Sequence, residues 1–217
     1  VFAVICPSDP EPNLLATDKL LASIYDAKIT PSVIISKADT TADGTRRLYD
    51  IYSKGYDVFV TSSEKDEGIS DLRRYISEKT TVCAFAGASG VGKSTLLSAL
   101  FPDLSLKTGS ISEKTRRGRH TTREVTLFPF DEEHFIADTP GFSRLDFDGE
   151  KYLPPEDLFF CFPEFEKYFG KCRYSGCTHL REEGCAVIDA VNSGEIPSSR
   201  HDNYVAIYEE LKNNRKF

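Results

Sequence analysis

Residues 81–100 read TVCAFAGASGVGKSTLLSAL: an apolar run, a glycine-rich turn, then a helical pattern. Within this stretch Gly87-Ala88-Ser89-Gly90-Val91-Gly92-Lys93-Ser94 fits the phosphate-loop pattern GxxxxGK[ST] at every fixed position. The glycines let the backbone curl so that successive N–H groups point inward at phosphate oxygens. A helix opening near Gly92 adds its positive end to the same pocket. On this reading Ser89, Gly90, Val91, Gly92, Lys93, Ser94 and Thr95 wrap a polyphosphate. Lys93 neutralises the β- and γ-phosphates and the Ser94 hydroxyl holds Mg²⁺.

Downstream, Asp138-Thr139-Pro140-Gly141 ends a short apolar run at 134–137. A phosphate-loop nucleotidase carries there an aspartate that holds Mg²⁺ through water and a glycine whose N–H senses the γ-phosphate. Asp138 and Gly141 take those places. The runs at 124–130 and 133–141 alternate like the two strands of a hairpin. Between them and the phosphate loop, residues 102–122 show no periodicity. Lys107, Lys114, Arg116, Arg117, Arg119 and Arg123 lie within seventeen residues that hold one acid, Glu113. Composition leaves open whether this is a solvated loop or a segment that contacts phosphate or RNA.

Upstream of the loop, strand and helix patterns alternate, which predicts a mostly parallel sheet flanked by helices. Strands are expected at 1–6, 32–36 and 56–63, and helices at 13–27, 44–54 and 68–79. The second strand runs into Ser36-Lys37-Ala38-Asp39. Guanine offers N1–H and N2–H₂ side by side, a pair of donors that one carboxylate accepts and that adenine lacks. Asp39 supplies that carboxylate, and Lys37 would lay its stem over the base. Thr61-Ser62-Ser63 ends the next strand, where a backbone N–H of Ser62 or Ser63 would meet guanine O6. In the usual small GTPase the phosphate loop comes first and the guanine loops last. Here the guanine half precedes the phosphate half. The chain therefore reads as a circularly permuted P-loop GTPase domain over 1–148, tolerated because domain termini often lie close together.

From about residue 149 the pattern changes to short helical pieces, aromatics and a cysteine cluster, giving a small, mainly helical domain at 149–217. Cys172, Cys177, His179 and Cys185 supply three thiolates and one imidazole, a complete tetrahedral set for a structural Zn²⁺. Such a short segment is expected to have little core of its own and to draw folding energy from the metal. Cys6, Cys83 and Cys161 sit in apolar surroundings and read as small core residues.

The bulk numbers are those of an ordinary folded chain: 40% hydrophobic, 28% charged and a net charge of −7, which argues against coating nucleic acid by bulk attraction. No apolar run approaches the length of a membrane span, and no charged-then-apolar leader opens the chain. No membrane partner is expected, and the compartment is read as the reducing cytoplasm. The sequence has no Met and opens inside an apolar run, which reads as the interior of a longer parent.

Taken together, ISKAD (35–39), TSS (61–63), GASGVGKST (87–95), GRHTT (118–122), DTPGF (138–142) and CRYSGCTHLREEGC (172–185) closely resemble the RsgA (YjeQ/YloQ) family across essentially the whole chain. These are bacterial circularly permuted GTPases of small ribosomal subunit maturation. The resemblance implies binding of GTP and GDP and hydrolysis of GTP with Mg²⁺. It also implies a structural Zn²⁺, a monomer, stimulation by the small ribosomal subunit and contacts to its rRNA, and an RNA-binding OB-fold upstream. Thr122 is the residue the family pattern favours as a second Mg²⁺ ligand. Phe142 stands where many GTPases carry a water-orienting Gln, so His120 is the candidate for that role. A surface His in a basic loop is the other reading, and spacing leaves both open. The alternative function is a nucleotide-switched RNA-binding module with incidental hydrolysis. One departure is Ser36, where the family usually has an Asn that ties the guanine loop to the phosphate loop.

Overall fold

The computed structural model describes residues 1–102, 126–138 and 153–214, with the backbone alone at 126, 138 and 214. By their contacts the residues form two compact units. One comprises 1–12, 32–46 and 58–144, and the other 13–31, 47–57 and 145–217.

The first unit is built on β-strands. β1 (Phe2–Ile5), β2 (Ser32–Ile35), β3 (Val58–Val60) and β5 (Phe85–Ala86) form a parallel sheet in the order β3-β2-β1-β5. β4 (Val82–Cys83) pairs in parallel with β7 (Phe135–Asp138), and β6 (Thr126–Pro129) closes that sheet antiparallel to β7. The apolar run before the phosphate loop is therefore two short pieces, joined at Ala84, whose carbonyl accepts from Phe2 N at 2.8 Å. One piece faces β1 and the other faces β7. The strand before the phosphate loop thus has the N-terminal half of the chain on one side and the hairpin on the other.

Every residue of β1 and β2 is buried. Such continuous apolar strands belong to a parallel sheet covered on both faces, whereas a half-exposed sheet would alternate. Phe2, Val4, Ile34, Leu72, Ile76, Leu96, Leu100 and Ile136 make one core, and Cys6 and Cys83 lie in it. The helices α3 (Ile69–Lys79) and α4 (Lys93–Leu100) contribute to that core. Gly68, just before α3, has φ +72°, and a Cβ there would lie 2.1 Å from Val60 O. Only glycine fits where the TSS loop turns into α3.

The second unit contains α1 (Leu14–Asp26), the end of α2 (Ala42–Tyr52), two 3-10 segments (Pro155–Cys161 and Pro163–Tyr168), α5 (Ala186–Asn192) and α6 (Ser198–Asn214). Asn13 caps α1, its side chain accepting from Ala16 N at 3.0 Å. α6 begins directly after Pro197. The expectation of a sparse core is corrected here. Leu158, Phe162, Phe165, Val187, Ile196, Tyr204, Ile207 and Leu211 are nearly fully buried, and Ala22 of α1 completes the cluster. Cys161 is one of its members.

Beside that core lies a buried charge cluster. Arg200, 1% exposed, sits 2.5 Å from a carboxylate oxygen of Asp18 and donates from Nε to Glu164 at 2.5 Å. Its guanidinium lies 4.5 Å from the centre of the Phe162 ring, and it donates to Tyr56 OH at 3.1 Å. Tyr52 OH and Asn203 Nδ2 both donate to Asp18. Among the described residues no helix is long and apolar enough to cross a membrane.

Candidate nucleotide-binding site and metal centre

The phosphate loop leaves β5 at the carboxyl edge of the sheet, where the strand order reverses and α/β sheets open a ligand crevice. Gly87 has φ +148°, and a Cβ there would lie 2.2 Å from Val4 O, so the loop can pass over β1 only as glycine. Gly92 caps α4, and Lys93 is its first residue. Lys93 Nζ donates to Gly87 O at 2.8 Å and to Ala88 O at 2.6 Å. The ammonium is thus folded back onto the first two residues of the loop. Burial pushes its pKa down, so an anion there would gain from meeting a charge that is poorly hydrated. Ser89, Gly90, Ser94 and Thr95 are exposed along the same loop and helix start.

The guanine side is assembled from two strand ends. Ser36 follows β2, is 4% exposed, and its Oγ lies 2.9 Å from Ile5 O and 2.5 Å from Val91 O. The serine therefore ties the 36–41 loop to the phosphate loop through Val91. Lys37 has φ +52°, and its aliphatic stem crosses Gly92 at 3.5 Å from the position a Cβ would take. Asp39 sits in a 3-10 turn (Ala38–Thr40), and its Oδ1 accepts from Ser62 Oγ at 2.5 Å. Ala38 N donates to Thr61 O at 3.1 Å. The two loops are consequently one rigid corner. The Ser62 hydrogen bond holds the Asp39 carboxyl below the usual aspartate range. An ionised carboxylate with one oxygen fixed is the acceptor that paired N–H donors require.

The metal centre lies in the second unit. One ligand atom from each of Cys172, Cys177, His179 and Cys185 falls within 4.8 Å of the others. Cys172 Sγ and Cys185 Sγ are 3.9 Å apart, and His179 Nδ1 is 3.5 Å and 3.3 Å from them. A tetrahedron with arms of about 2.3 Å has edges of about 3.8 Å, so these spacings fit Zn²⁺ and are far too long for a disulfide. Glu182 holds the His179 loop. It accepts from Thr178 N at 2.7 Å, from Thr178 Oγ1, from Leu180 N at 2.8 Å and from Arg181 N at 3.0 Å. Burial opposes its ionisation, yet these bonds outweigh it and bring its pKa to about 2. His201 Nε2 lies 2.7 Å from His179 O, and Tyr204 OH donates to Thr178 O at 3.0 Å, so α6 braces the same loop. Such outer contacts orient metal ligands and keep the site assembled.

Comparison with known proteins joins these two sites. A sequence model of the RsgA GTPase family matches residues 1–148. The chain belongs to the RsgA GTPase family. It is 46% identical to the small ribosomal subunit biogenesis GTPase RsgA 2 of Listeria monocytogenes, over 99% of this chain and 72% of that protein. It is 38% identical to the RsgA protein of Agathobacter rectalis, over 100% of this chain and 70% of that one. Among solved structures, YjeQ from Thermotoga maritima superposes with a TM-score of 0.76 at 33% identity, covering 97% of this chain and 70% of that one. YloQ, described as a circularly permuted GTPase, superposes with a TM-score of 0.76 at 31% identity, covering 98% and 68%. The permuted α/β fold read from motif order is thus the fold of this chain.

Ser36, Lys37, Asp39, Ser62 and Ser63 converge with Ser89–Thr95 at one edge of the sheet. Ser62 is buried, and its hydroxyl serves Asp39. The backbone of Asp138 ends β7 beside the phosphate-loop strand. His120, Thr122 and Gly141, with the basic cluster at 107–123 and Phe142, lie outside the described residues. Sequence reasoning missed the Ser62–Asp39 bond and the part played by Glu182. The signal for Glu182 was a pair of acids, Glu182 and Glu183, set between His179 and Cys185.

Proposed function

We propose that this chain binds GTP and GDP, hydrolyses GTP to GDP and phosphate, and acts in maturation of the small ribosomal subunit, whose binding stimulates it. The observation that carries the reading is the bond from Ser36 to Val91. It sets a carboxylate for guanine and a cradle for phosphates at a fixed distance on one sheet edge. In this reading Asp39 accepts N1–H and N2–H₂ of the base, Lys37 covers its plane, and Ser63 N–H approaches O6. Ser89–Thr95 wrap the phosphates, and Lys93 exchanges its two loop carbonyls for β- and γ-oxygens. Ser94, Thr122 and Asp138 would hold Mg²⁺, which neutralises phosphate charge when bound. Gly141 N–H senses the γ-phosphate. His120 orients a water whose oxygen attacks the γ-phosphorus as the bond to the β–γ bridging oxygen breaks.

The domains act as 1–148 for the nucleotide and 149–217 for Zn²⁺, with Cys172, Cys177, His179 and Cys185 as a closed structural set. The protein works as a cytoplasmic monomer, and its partner surface includes rRNA. A second reading, a nucleotide-switched RNA-binding module with incidental hydrolysis, rests on Phe142, whose ring can neither donate nor accept. Turnover of GTP and ATP, with and without purified small subunits, tests both. GTP-selective turnover that the subunit accelerates is expected. Preference for ATP removes the guanine reading, and turnover that the subunit leaves unchanged favours the second.

A further inference from the structure

The loop Pro7–Pro12 follows β1, and the function above leaves it without a role. Its place is set by the sheet. β1 pairs with β2 on one side, Ile5 opposite Ile35, and with β5 on the other, Ala3 opposite Ala86. The loop after β1 therefore emerges between the guanine loop after β2 and the phosphate loop after β5, along the crevice where the nucleotide would lie.

Its contacts go to both neighbours. Lys37 Nζ donates to Asp9 O at 2.8 Å. Ser8 Oγ lies 2.9 Å from Thr40 Oγ1, one residue past Asp39. The Pro10 ring packs on the phosphate loop, its Cδ 3.5 Å from where a Cβ on Gly90 would sit. The loop is itself anchored from below, with Cys6 Sγ donating to Pro10 O at 3.2 Å. At its start, Pro7 O is 3.0 Å from the Cβ position of Gly44.

The decisive contact is the one to Lys37. A lysine side chain has four rotatable bonds, and laying its stem across a base requires all of them to be fixed. Asp9 O fixes the far end while Gly92 lies under the stem, so the lysine is stretched across the crevice before any base arrives. The acceptor is a main-chain carbonyl, so the hold on Lys37 depends on the path of the loop backbone. Fixing a contact in its bound geometry beforehand lowers the cost of binding and shows mainly in the release rate.

We propose that Pro7–Pro12 is a further element of the nucleotide site, a strap that positions Lys37 over the guanine and sets how long the nucleotide stays. This rests on the guanine-nucleotide reading above. Asp9 acts through its main chain and Pro10 through its ring, and both are positioning residues.

The test is release of a fluorescent GDP followed by stopped flow, for the parent, Pro10→Gly, Lys37→Ala and the double variant, with inorganic pyrophosphate as a base-free competitor. Pro10→Gly and Lys37→Ala are each expected to speed release by about five- to tenfold, and the double variant by no more than Lys37→Ala alone to within about twofold. Pyrophosphate affinity is expected to be the same in all four. Three results overturn the proposal: release from Pro10→Gly at the parent rate, rates that multiply in the double variant, or pyrophosphate affinity falling with the release rate. A parent that holds no fluorescent GDP overturns the guanine reading itself, which is a separate outcome.

Discussion

The hydroxyl of Ser36 lies 2.5 Å from the carbonyl oxygen of Val91 and 2.9 Å from that of Ile5. Ile5 O also accepts from Ser36 N at 2.8 Å, so the hydroxyl proton is free to serve Val91 O and bonds the guanine loop to the phosphate loop. An Asn amide would bring two protons to the same place. The tie is present in this chain, with one donor where the family usually has two.

Ser36→Ala takes the hydroxyl donor from Val91 O, while Ile5 O keeps the Ser36 backbone N–H. It is expected to lower stability by about 1–2 kcal/mol, read by urea unfolding. GDP affinity is expected to fall by about three- to tenfold as the two loops uncouple, read by calorimetric titration. Unchanged affinity would mean that Lys37 and Gly92 alone hold the loops in register.

Asp39→Asn turns an acceptor pair into one acceptor and one donor, so preference should move from guanine toward xanthine. Competition between GDP and XDP for the variant measures it. Ser62→Ala keeps the carboxylate but frees its orientation, and should weaken GDP by about three- to tenfold without creating xanthine preference. Equal weakening of GDP and ADP in Ser62→Ala would show that the hydroxyl does not act through the base.

Glu182 gathers four donors of the His179 loop, and Glu182→Gln removes the charge that holds them. Zinc loss to a chelator is expected to speed up by about 10- to 100-fold, followed by a colorimetric metal indicator. The GDP affinity of the same variant should stay at the parent value.

Arg200→Met strands Asp18 and Glu164 in the interior and should cost about 3–5 kcal/mol, read by urea unfolding at neutral pH. Burial is the largest influence on Asp18 and pushes its pKa above the ordinary 3.8, with Arg200 pulling it back. A carboxyl whose folded pKa is raised favours the folded state as it protonates. The deficit should therefore be largest at neutral pH and shrink as pH falls through the raised value toward 3.8. Replacing Asp18 and Glu164 with Leu in the same variant should recover much of the loss. A deficit independent of pH would place the defect in packing against Phe162 instead.

The sequence by itself determined whatever is written in consecutive residues. The phosphate loop is legible because strand, glycines, lysine and helix follow one another without interruption. The metal set is legible because its four ligands lie within fourteen residues, Cys172 to Cys185. The permutation is legible because it is a matter of order alone, SKAD before the phosphate loop and DTPG after it. Tertiary structure decided everything that joins distant segments. Ser36 meets Val91 across 55 residues, Asp39 meets Ser62 across 23, and Glu164 meets Arg200 across 36. It also decided that α1 belongs with the C-terminal core and that the Pro7–Pro12 loop lies against Lys37. Periodicity reports which face of an element is buried, and motif spacing reports neighbours along a turn. Which strand end faces which is set by sheet register, and only the assembled sheet carries that information.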